Sequence, residues 1–424
     1  MTFRSPGILG SISITLTIKL NMMNNLFQLQ SESFYKTAAI IFILMFVQNS
    51  FAQKINVKKQ FNNAAKQVSY MLSVIDSAKA NGAAPELVSP RASEKNKLKL
   101  VRGQDWTSGF FPGELWFLYE YTGNKKWLAP ARKFTASLES QQFYGGTHDL
   151  GFMIYCSFGN GYRLTGDTAY KAVIIQAAKT LSTRFTPATG VIKSWDFASD
   201  SKWKYPVIID NMMNLELLFA ATKFTGDSSF YKIAISHANT TITNHFRPNN
   251  SSYHVIDYDP ETGAVRQKIT AQGYSDASSW ARGQAWGLYG YTMTYRETKN
   301  SIYLEQAEKI ADYILSRLPA DKIPYWDHDA PGIPNEPMDA SAAAITASAL
   351  YELHTFTRKT IYRKTADQIL QTLCAGYLSP VDQNHGFILL HSTGHKPAKS
   401  EVDVPLIYAD YYFLEALMRS KSMK

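Results

Sequence analysis

The sequence predicts an all-α protein folded as an (α/α)6 barrel of six helical hairpins. After residue 52, apolar residues recur mostly at helical spacing. Strand-like alternation is confined to short pieces such as residues 253–258. One turn motif also recurs five times along the chain, which is typical of a repeated structural unit. A superhelical solenoid of similar hairpins is the structural alternative.

The recurring turn begins with threonine and places an aromatic residue five positions later. In the first three copies a glycine follows the threonine, and we expect it to end one helix in a left-handed conformation. The Asp or Asn that comes next is expected to cap the following helix, and the aromatic residue to pack that helix against its predecessor. The five copies are residues 122–127, 165–170, 225–230, 298–303 and 357–362.

A sixth hairpin is predicted from the two ends of the barrel sequence. An early helix at residues 58–80 and a last helix at residues 406–419 would pair and close the ring. Each inner helix runs towards a short threonine turn, so all inner N-termini should point to the opposite mouth, where the long loops and the function are expected. The predicted inner helices begin near Gly109, Asp149, Asn211, Ala277, Ala340 and Leu406.

Composition limits the classes of function. With 424 residues, 45% of them hydrophobic, the chain can bury a large core, and we interpret residues 53–424 as a single catalytic barrel domain. Its 25 Tyr, 23 Phe and 8 Trp can serve both the core and sugar-stacking surfaces. The net charge of +9 comes from scattered Lys and Arg without a dense basic run, which argues against a nucleic-acid partner and favours a small anionic substrate.

Residues 1–52 are predicted to be a signal peptide. Residues 38–47 form an apolar run too short for a comfortable membrane span, with Lys36 before it and a small-x-small cleavage pattern ending at Ala52. The mature chain is then expected to begin near Gln53, to be periplasmic or secreted, and to have no membrane partner. The leader is longer than signal peptides usually are, so translation starting further along the chain is one alternative. A membrane anchor that is not cleaved is another.

No metal and no organic cofactor are predicted. The two cysteines, Cys156 and Cys374, lie in apolar helical patterns, which is typical of buried thiols. The sequence contains neither a CxxC pair nor an HExxH helix.

Acidic residues gather at the predicted starts of the inner helices. One aspartate at a helix start is ordinarily a cap. Six acidic starts at one rim, accompanied by Trp106, Trp280, Trp286 and His254, exceed what capping requires. Crowded carboxylates raise one another's pKa, as a general acid working near neutral pH needs, whereas the helix dipoles favour the charged form. These starts are at Asp105, Asp149, Asp210, Asp276, Asp339 and the pair Glu401 and Asp403.

Arg282 is the complementary charge among these carboxylates. A guanidinium can hold a substrate carboxylate through two parallel hydrogen bonds. A structural ion pair with one of the rim aspartates is the alternative, and the residue pattern does not choose between the two.

Three motifs in order resemble the unsaturated glucuronyl hydrolases of glycoside hydrolase family 88. They are HDLGF at residues 148–152, IIDNMMN at residues 208–214 and SSWARGQAWG at residues 278–287, and the resemblance extends from about Asp105 to Glu415. It implies an enzyme that removes the non-reducing-end 4,5-unsaturated uronic acid from lyase-generated oligosaccharides of glycosaminoglycan type. In this family the enzyme protonates C4 of the C4=C5 bond, water adds at C5, and the resulting hemiketal opens and releases the neighbouring sugar.

The resemblance also implies roles for individual residues. Asp210 would be the general acid and base, and Asp149 its essential partner. The residues expected to surround the unsaturated uronate are His254, Gln272 and Arg282, with Trp106 as the stacking aromatic and Trp286 as a further substrate-binding candidate.

Ser392 and Lys396 complete the predicted substrate-binding set. Their loop lies where some members of the family hold a sulfate on the next sugar, but its spacing does not match the family pattern, so sulfate preference stays open. Three alternatives remain for the function. An unsaturated rhamnogalacturonyl hydrolase and an inverting glycosidase would both use the same barrel, and a periplasmic sugar-binding protein would bind without turnover.

Overall fold

Twelve α-helices in the described part of the chain alternate between an inner and an outer ring. The inner helices at Ala281–Thr298 and Ala340–Thr357 are buried over most of their length, whereas the outer helix at Val57–Ala80 buries a single stripe. The (α/α)6 prediction is therefore confirmed. The inner helices are α2 (Phe110–Thr122), α4 (Asn160–Thr165), α6 (Leu215–Thr225), α8 (Ala281–Thr298), α10 (Ala340–Thr357) and α12 (Ile407–Ser422). The outer helices are α1 (Val57–Ala80), α3 (Leu128–Ala136), α5 (Thr168–Ser182), α7 (Ser228–His245), α9 (Ser301–Arg317) and α11 (Thr360–Gly376).

This computed structural model describes Thr2 and residues 55–197 and 202–423. The barrel belongs to a compact unit that begins at Ile55. The predicted signal peptide, Thr2 apart, lies outside the described residues and stays a prediction. Within the described ranges, no helix combines the length and the apolar character that crossing a membrane requires.

The five threonine turns join the first five inner helices to the outer helices that follow them. Gly123, Gly166 and Gly226 end α2, α4 and α6 with positive φ angles of 64°, 69° and 75°. Lys299 and Arg358 adopt the same left-handed conformation in the other two copies. The predicted role of the glycine is therefore confirmed, and the last two turns show that a longer side chain is tolerated at the same place.

The threonine itself recurs because its hydroxyl makes two local hydrogen bonds. In the first turn the Thr122 hydroxyl donates to the Leu118 carbonyl and accepts the Asn124 N–H. The next residue then caps the outer helix, as when the Asp167 carboxylate accepts the Ala169 N–H at 3.0 Å. Lys359 takes this place in the fifth copy and provides no side-chain cap.

Two inner helices begin with a turn that is not α-helical. A π-helix at Gly151–Gly159 precedes α4, and a 3₁₀ helix at Ile209–Asn214 precedes α6. These two irregular starts pack closely, since a Cβ added at Gly151 would lie 2.6 Å from the Asn214 Cα. The segment that follows Asp149 and the segment that contains Asp210 are thereby held side by side.

The start predicted near Ala277 is wrong by four residues, because α8 begins at Ala281. The segment before it is a tight turn in which the Ser278 hydroxyl accepts the Ser275 N–H and donates to Asp327. These side-chain bonds replace the helical ones that the periodicity predicted.

Short antiparallel strands cover the mouth of the barrel. The predicted strand-like segment is β6 (Val255–Tyr258), which pairs with β5 (Pro206–Ile208) and β7 (Val265–Ile269). A hairpin of β1 (Leu87–Glu94) and β2 (Lys97–Arg102) was not predicted, because two register shifts break its alternation. A third pair joins β3 (Phe185–Thr186) to β4 (Val191–Ile192).

Candidate active site

The mouth at the N-termini of the inner helices contains a pocket of about 380 Å³. Five of the nine predicted site residues line it, and they come from different loops and helix starts. The pocket therefore lies at the mouth of the barrel where the sequence predicted the long loops and the functional site. These five residues are Trp106, Asp149, Asp210, Gln272 and Arg282.

Asp149 is held by its two predecessors in the chain. One carboxylate oxygen accepts a hydrogen bond of 2.6 Å from the Thr147 hydroxyl, and the other lies 3.1 Å from His148 Nε2. Burial disfavours the charged form, but His148 and Thr147, together with the charge of Arg184, outweigh it and lower the pKa of Asp149. Asp149 is therefore a carboxylate at neutral pH.

Asp210 lies in the 3₁₀ turn before α6 and has the opposite acidity. Burial raises the pKa of Asp210 to about 7; the nearby His148 and Arg282 oppose this rise, and Asp149 adds to it. Its Oδ2 atom is buried and has no hydrogen-bond partner among the described residues. Asp210 can thus hold a proton near neutral pH and present it to the pocket.

His254 lies beside Asp210 because β5 and β6 pair, with Ile208 opposite Val255. His254 Nδ1 accepts the backbone N–H groups of Ala271 and Gln272, both at 3.1 Å, so the ring proton must be on Nε2. Burial and the charge of Arg282 lower the pKa of His254 well below its usual value, which keeps the ring neutral. Nε2, 3.9 Å from Asp210 Oδ2, is then a neutral donor next to the acid.

Arg282 is buried and strongly held. Nη1 donates to Asp339 Oδ2 at 2.9 Å and to the Thr393 carbonyl, and Nη2 donates to the Gly394 carbonyl. The ion pair that the sequence left as an alternative is therefore present, yet the same guanidinium lines the pocket. Arg282 contributes a fixed positive charge and has few donors left for a ligand.

Trp106 and Gln272 form two walls of the pocket. The Trp106 ring packs against Phe152 and Tyr408, with ring centroids 5.5 and 4.9 Å away. Gln272 Nε2 donates to the Gly394 carbonyl at 3.1 Å, which ties one rim loop to the other. Trp106 therefore has the rigid support that a sugar-stacking ring needs.

Tyr408 is a pocket residue that the sequence did not single out. It is fully buried at the start of α12, and its hydroxyl has no hydrogen-bond partner in the described part of the chain. The Arg282 guanidinium lies 5.3 Å from its ring centroid. The surrounding sequence is an aromatic-rich helix that resembles ordinary core, so no sequence signal separated this tyrosine from its neighbours.

Other pocket residues were also missed as site candidates. Arg91 comes from the unpredicted hairpin, Trp195 follows β4, and His395 and Ser400 lie on the loop before α12. His148 was noted only as part of its motif, although its ring contacts Asp149. A motif search could have found His148, whereas the loop residues carry no spacing signal.

Trp286, Ser392 and Lys396 are not among the described residues that line the pocket. Trp286 lies one turn after Arg282 on α8 and packs in the core against Phe152, with ring centroids 5.2 Å apart. Ser392 is fully buried where its backbone pairs with Val404. The Lys396 ammonium forms an ion pair with Glu336 and lies over the Trp326 ring.

The acidic rim residues divide into different tasks. Asp149, Asp210 and Glu401 line the pocket. Asp339 caps α10 by accepting the Ser341 N–H, and Asp105 accepts two hydrogen bonds from Arg91. Asp276 accepts the Thr270 N–H on an exposed turn, and Asp403 pairs with His391 on the surface. Capping and ion pairing thus account for some of the acidic rim residues, and the others line the pocket.

Cys156 and Cys374 are free thiols, and both are half-buried, whereas the sequence predicted buried ones. Within the described ranges no group of His, Cys, Asp and Glu side chains has the arrangement of a metal site.

Known proteins similar to this chain include a protein family and two curated relatives. The model of Glycosyl Hydrolase Family 88 matches residues 83–412. An unsaturated glucuronyl hydrolase of Formosa agariphila is 47% identical over 376 residues, covering 87% of this chain and 91% of that protein. An unsaturated chondroitin disaccharide hydrolase of Streptococcus pneumoniae is 34% identical over 77% of this chain and 85% of its own length.

Solved structures agree with these relatives. An unsaturated glucuronyl hydrolase specific for heparin superposes with a TM-score of 0.81 and 46% identity, covering 87% of this chain and 97% of that one. A variant of the Streptococcus agalactiae enzyme complexed with dGlcA-GalNAc6S superposes with a TM-score of 0.71 and 30% identity, covering 87% and 92%. The predicted family and activity are confirmed. The chain belongs to Glycosyl Hydrolase Family 88 and is a glycoside hydrolase that removes an unsaturated uronic acid from oligosaccharides.

Proposed function

We propose that the pocket hydrates the C4=C5 bond of the terminal uronic acid, with Asp210 as the proton donor. The observation that carries this proposal is the opposite acidity of two pocket carboxyl groups, since burial raises the pKa of Asp210 to about 7 while that of Asp149 is lowered. A protonated acid beside a carboxylate suits an alkene that must first be protonated and then bear positive charge.

The proposed reaction returns the site to its starting state. Asp210 gives its proton to C4, and the positive charge that develops at C5 is stabilised by the carboxylate of Asp149. A water molecule then adds its oxygen to C5 and transfers a proton to the Asp210 carboxylate. The resulting hemiketal opens and releases the neighbouring sugar.

We propose that the uronate carboxylate lies near Arg282 and Tyr408. Arg282 supplies a fixed positive charge, although Asp339 and two backbone carbonyls occupy most of its donors. The Tyr408 hydroxyl, which lacks a partner in the described residues, supplies a hydrogen-bond donor. Burial raises the pKa of Tyr408, so this hydroxyl keeps its proton over the working pH range.

The proposed substrates are disaccharides of heparin type. The structure that is described as specific for heparin is 46% identical to this chain, whereas the chondroitin-disaccharide hydrolases are 33–34% identical. Chondroitin disaccharides are the second candidate, because several relatives carry that name.

One assay tests the substrate class. Purified protein is mixed with lyase-generated disaccharides of heparin, chondroitin and hyaluronan type, and with an unsaturated rhamnogalacturonan disaccharide, while the ultraviolet absorbance of the double bond is followed. We expect the absorbance to fall fastest with the heparin-type substrate. Binding of every disaccharide without any loss of absorbance would instead support a sugar-binding protein.

We also propose that the protein is exported, with cleavage of the leader near Ala52. The apolar run at residues 38–47 and the small residues after it support this location. N-terminal sequencing of protein recovered from the periplasmic fraction should start near Gln53. Recovery of the full-length chain from the membrane fraction would support the uncleaved anchor.

A further inference from the structure

Asn214 is the last residue of the IIDNMMN motif, and the proposed chemistry gives it no part. It ends the 3₁₀ helix that contains Asp210, and its side chain is fully buried. Its Oδ1 atom accepts the backbone N–H of Phe152 at 3.0 Å. Among the described residues, this is the only hydrogen bond between residues 149–159 and residues 208–214, the two segments that contain the catalytic carboxyl groups.

The Phe152 N–H needs this acceptor because the π-helix at Gly151–Gly159 starts without a cap of its own. The first N–H groups of a helix have no partner within it, and a polar side chain at the N-cap ordinarily accepts one of them. Leu150 occupies the N-cap position and makes no such bond. Asn214 therefore supplies, from the start of the neighbouring inner helix, the acceptor that a cap would supply.

The two segments also approach each other closely beside this hydrogen bond. A Cβ added at Gly151 would lie 2.6 Å from the Asn214 Cα and 2.6 Å from its Oδ1, so this approach requires a glycine. The hydrogen bond and the close contact together determine how far apart the segments lie. Asp149 precedes Gly151 by two residues and Asp210 precedes Asn214 by four, so the contact lies within about one helical turn of each carboxyl group.

We propose that Asn214 is a positioning residue, which sets the distance between the Asp149 and Asp210 carboxyl groups through its hydrogen bond to the Phe152 N–H. This assignment rests on the proposed function, because it requires Asp210 to be the acid that works beside the Asp149 carboxylate. Asn214 acts through the backbone of these two segments and does not touch the substrate.

The acidity of Asp210 also depends on the contact. Burial is the largest cause of its raised pKa, whereas the adjacent residues His148 and Asp149 act on it in opposite directions. If the segments separate, the effects of His148 and Asp149 weaken together and largely cancel, while water entering the gap lowers the pKa of Asp210. The titratable and charged groups that face Asp210 are His148, Asp149, His254 and Arg282.

Steady-state kinetics on an unsaturated disaccharide test the assignment. Asn214→Leu keeps the branched shape but removes the acceptor, and it should lower kcat by about tenfold to a hundredfold, as expected for a misplacement of about 1 Å. KM should change less than about threefold, because Arg282, Gln272 and Trp106 do not take part in the contact. The alkaline decline of kcat should begin at lower pH than in the wild type. Gly151→Ala, which forces the segments apart, should have the same effects.

Asn160→Leu is the matched control. Asn160 is another buried asparagine at the start of an inner helix, and its Nδ2 donates to the Cys156 carbonyl at 2.9 Å and to the Tyr411 hydroxyl at 3.2 Å. Its replacement should lower the melting temperature but leave kcat and its pH dependence unchanged. An equal loss of kcat with Asn160→Leu, or an unchanged kcat and pH dependence with Asn214→Leu, would overturn the assignment.

Two other results are also decisive. If Asn214→Leu does not fold, Gly151→Ala tests the same contact from the other segment, and failure of both to fold while Asn160→Leu folds would overturn the positioning role in favour of a purely structural one. Asp210→Asn separates this assignment from the proposed function. Full activity of that variant would refute the proposed function, whereas its inactivity together with an unaffected Asn214→Leu would refute only the positioning role.

Discussion

Asp339→Asn should destabilise the barrel because it leaves the buried Arg282 without its carboxylate partner. Asp339 Oδ2 pairs with Arg282 Nη1 at 2.9 Å, and the two side chains are 0% and 1% exposed. Oδ1 makes the other bonds of this residue, including the cap of α10 through the Ser341 N–H. Asparagine keeps the Oδ1 acceptor and replaces only the atom that pairs with Arg282, so the substitution isolates the ion pair.

The expected loss follows from the burial of both partners. Removing one member of a buried pair typically costs about 3–5 kcal/mol, and we expect about 3 kcal/mol because Arg282 keeps its two carbonyl acceptors. Urea unfolding measures this change in the free energy of unfolding. Asp276→Asn is the control, since Asp276 is an exposed rim aspartate, and it should stay within about 0.5 kcal/mol. A loss below about 1 kcal/mol for Asp339→Asn would show that Arg282 is not held as described.

Three further predictions concern protons in the barrel. Asp210→Asn fills the same volume but cannot protonate C4, so turnover should fall by at least about 10²-fold with an unchanged melting temperature, and activity close to wild type would remove Asp210 from the mechanism. Because the protonated form of Asp210 is required and its pKa is about 7, kcat should decline as pH rises through about 7; a rate that keeps increasing above pH 8 would contradict this role. Burial and the neighbouring Asp410 raise the pKa of Glu114 well above its usual range, so Glu114→Gln should change the free energy of unfolding by less than about 1 kcal/mol in urea. Asp410→Asn keeps one side-chain oxygen but loses the second of the two acceptors that the Ile388 and Leu389 N–H groups use, and it should cost about 1–3 kcal/mol.

The architecture could be predicted because it depends on local rules that repeat. Helical periodicity, the left-handed glycine after Thr122 and its equivalents, and the caps that follow are all short-range signals. The hairpin of β1 and β2 escaped prediction because its register shifts remove the alternation on which strand recognition depends. Sequence patterns therefore indicated the ring of helices but not the strands that complete its mouth.

The pocket was predicted best where a residue lies at a helix start. Asp149 and Asp210 are positioned by the chain direction of the inner helices, which the turns had already determined. Trp286 could not be placed in this way. It follows Arg282 by one helical turn, and the rise of the helix over that turn moves its ring from the rim into the core. The position of Lys396 could not be predicted either, since its ion pair with Glu336 joins loops that are distant in sequence.

The site of proton transfer tests the central claim most directly. Turnover of an unsaturated disaccharide in deuterated water, followed by NMR at early times, should show one deuterium at C4 of the released keto sugar. Unlabelled product incubated in the same solvent corrects for exchange next to the keto group. A product without deuterium at C4, or efficient cleavage of a saturated glucuronide that has no double bond to protonate, would contradict the hydration mechanism and favour two carboxylates acting on the glycosidic bond.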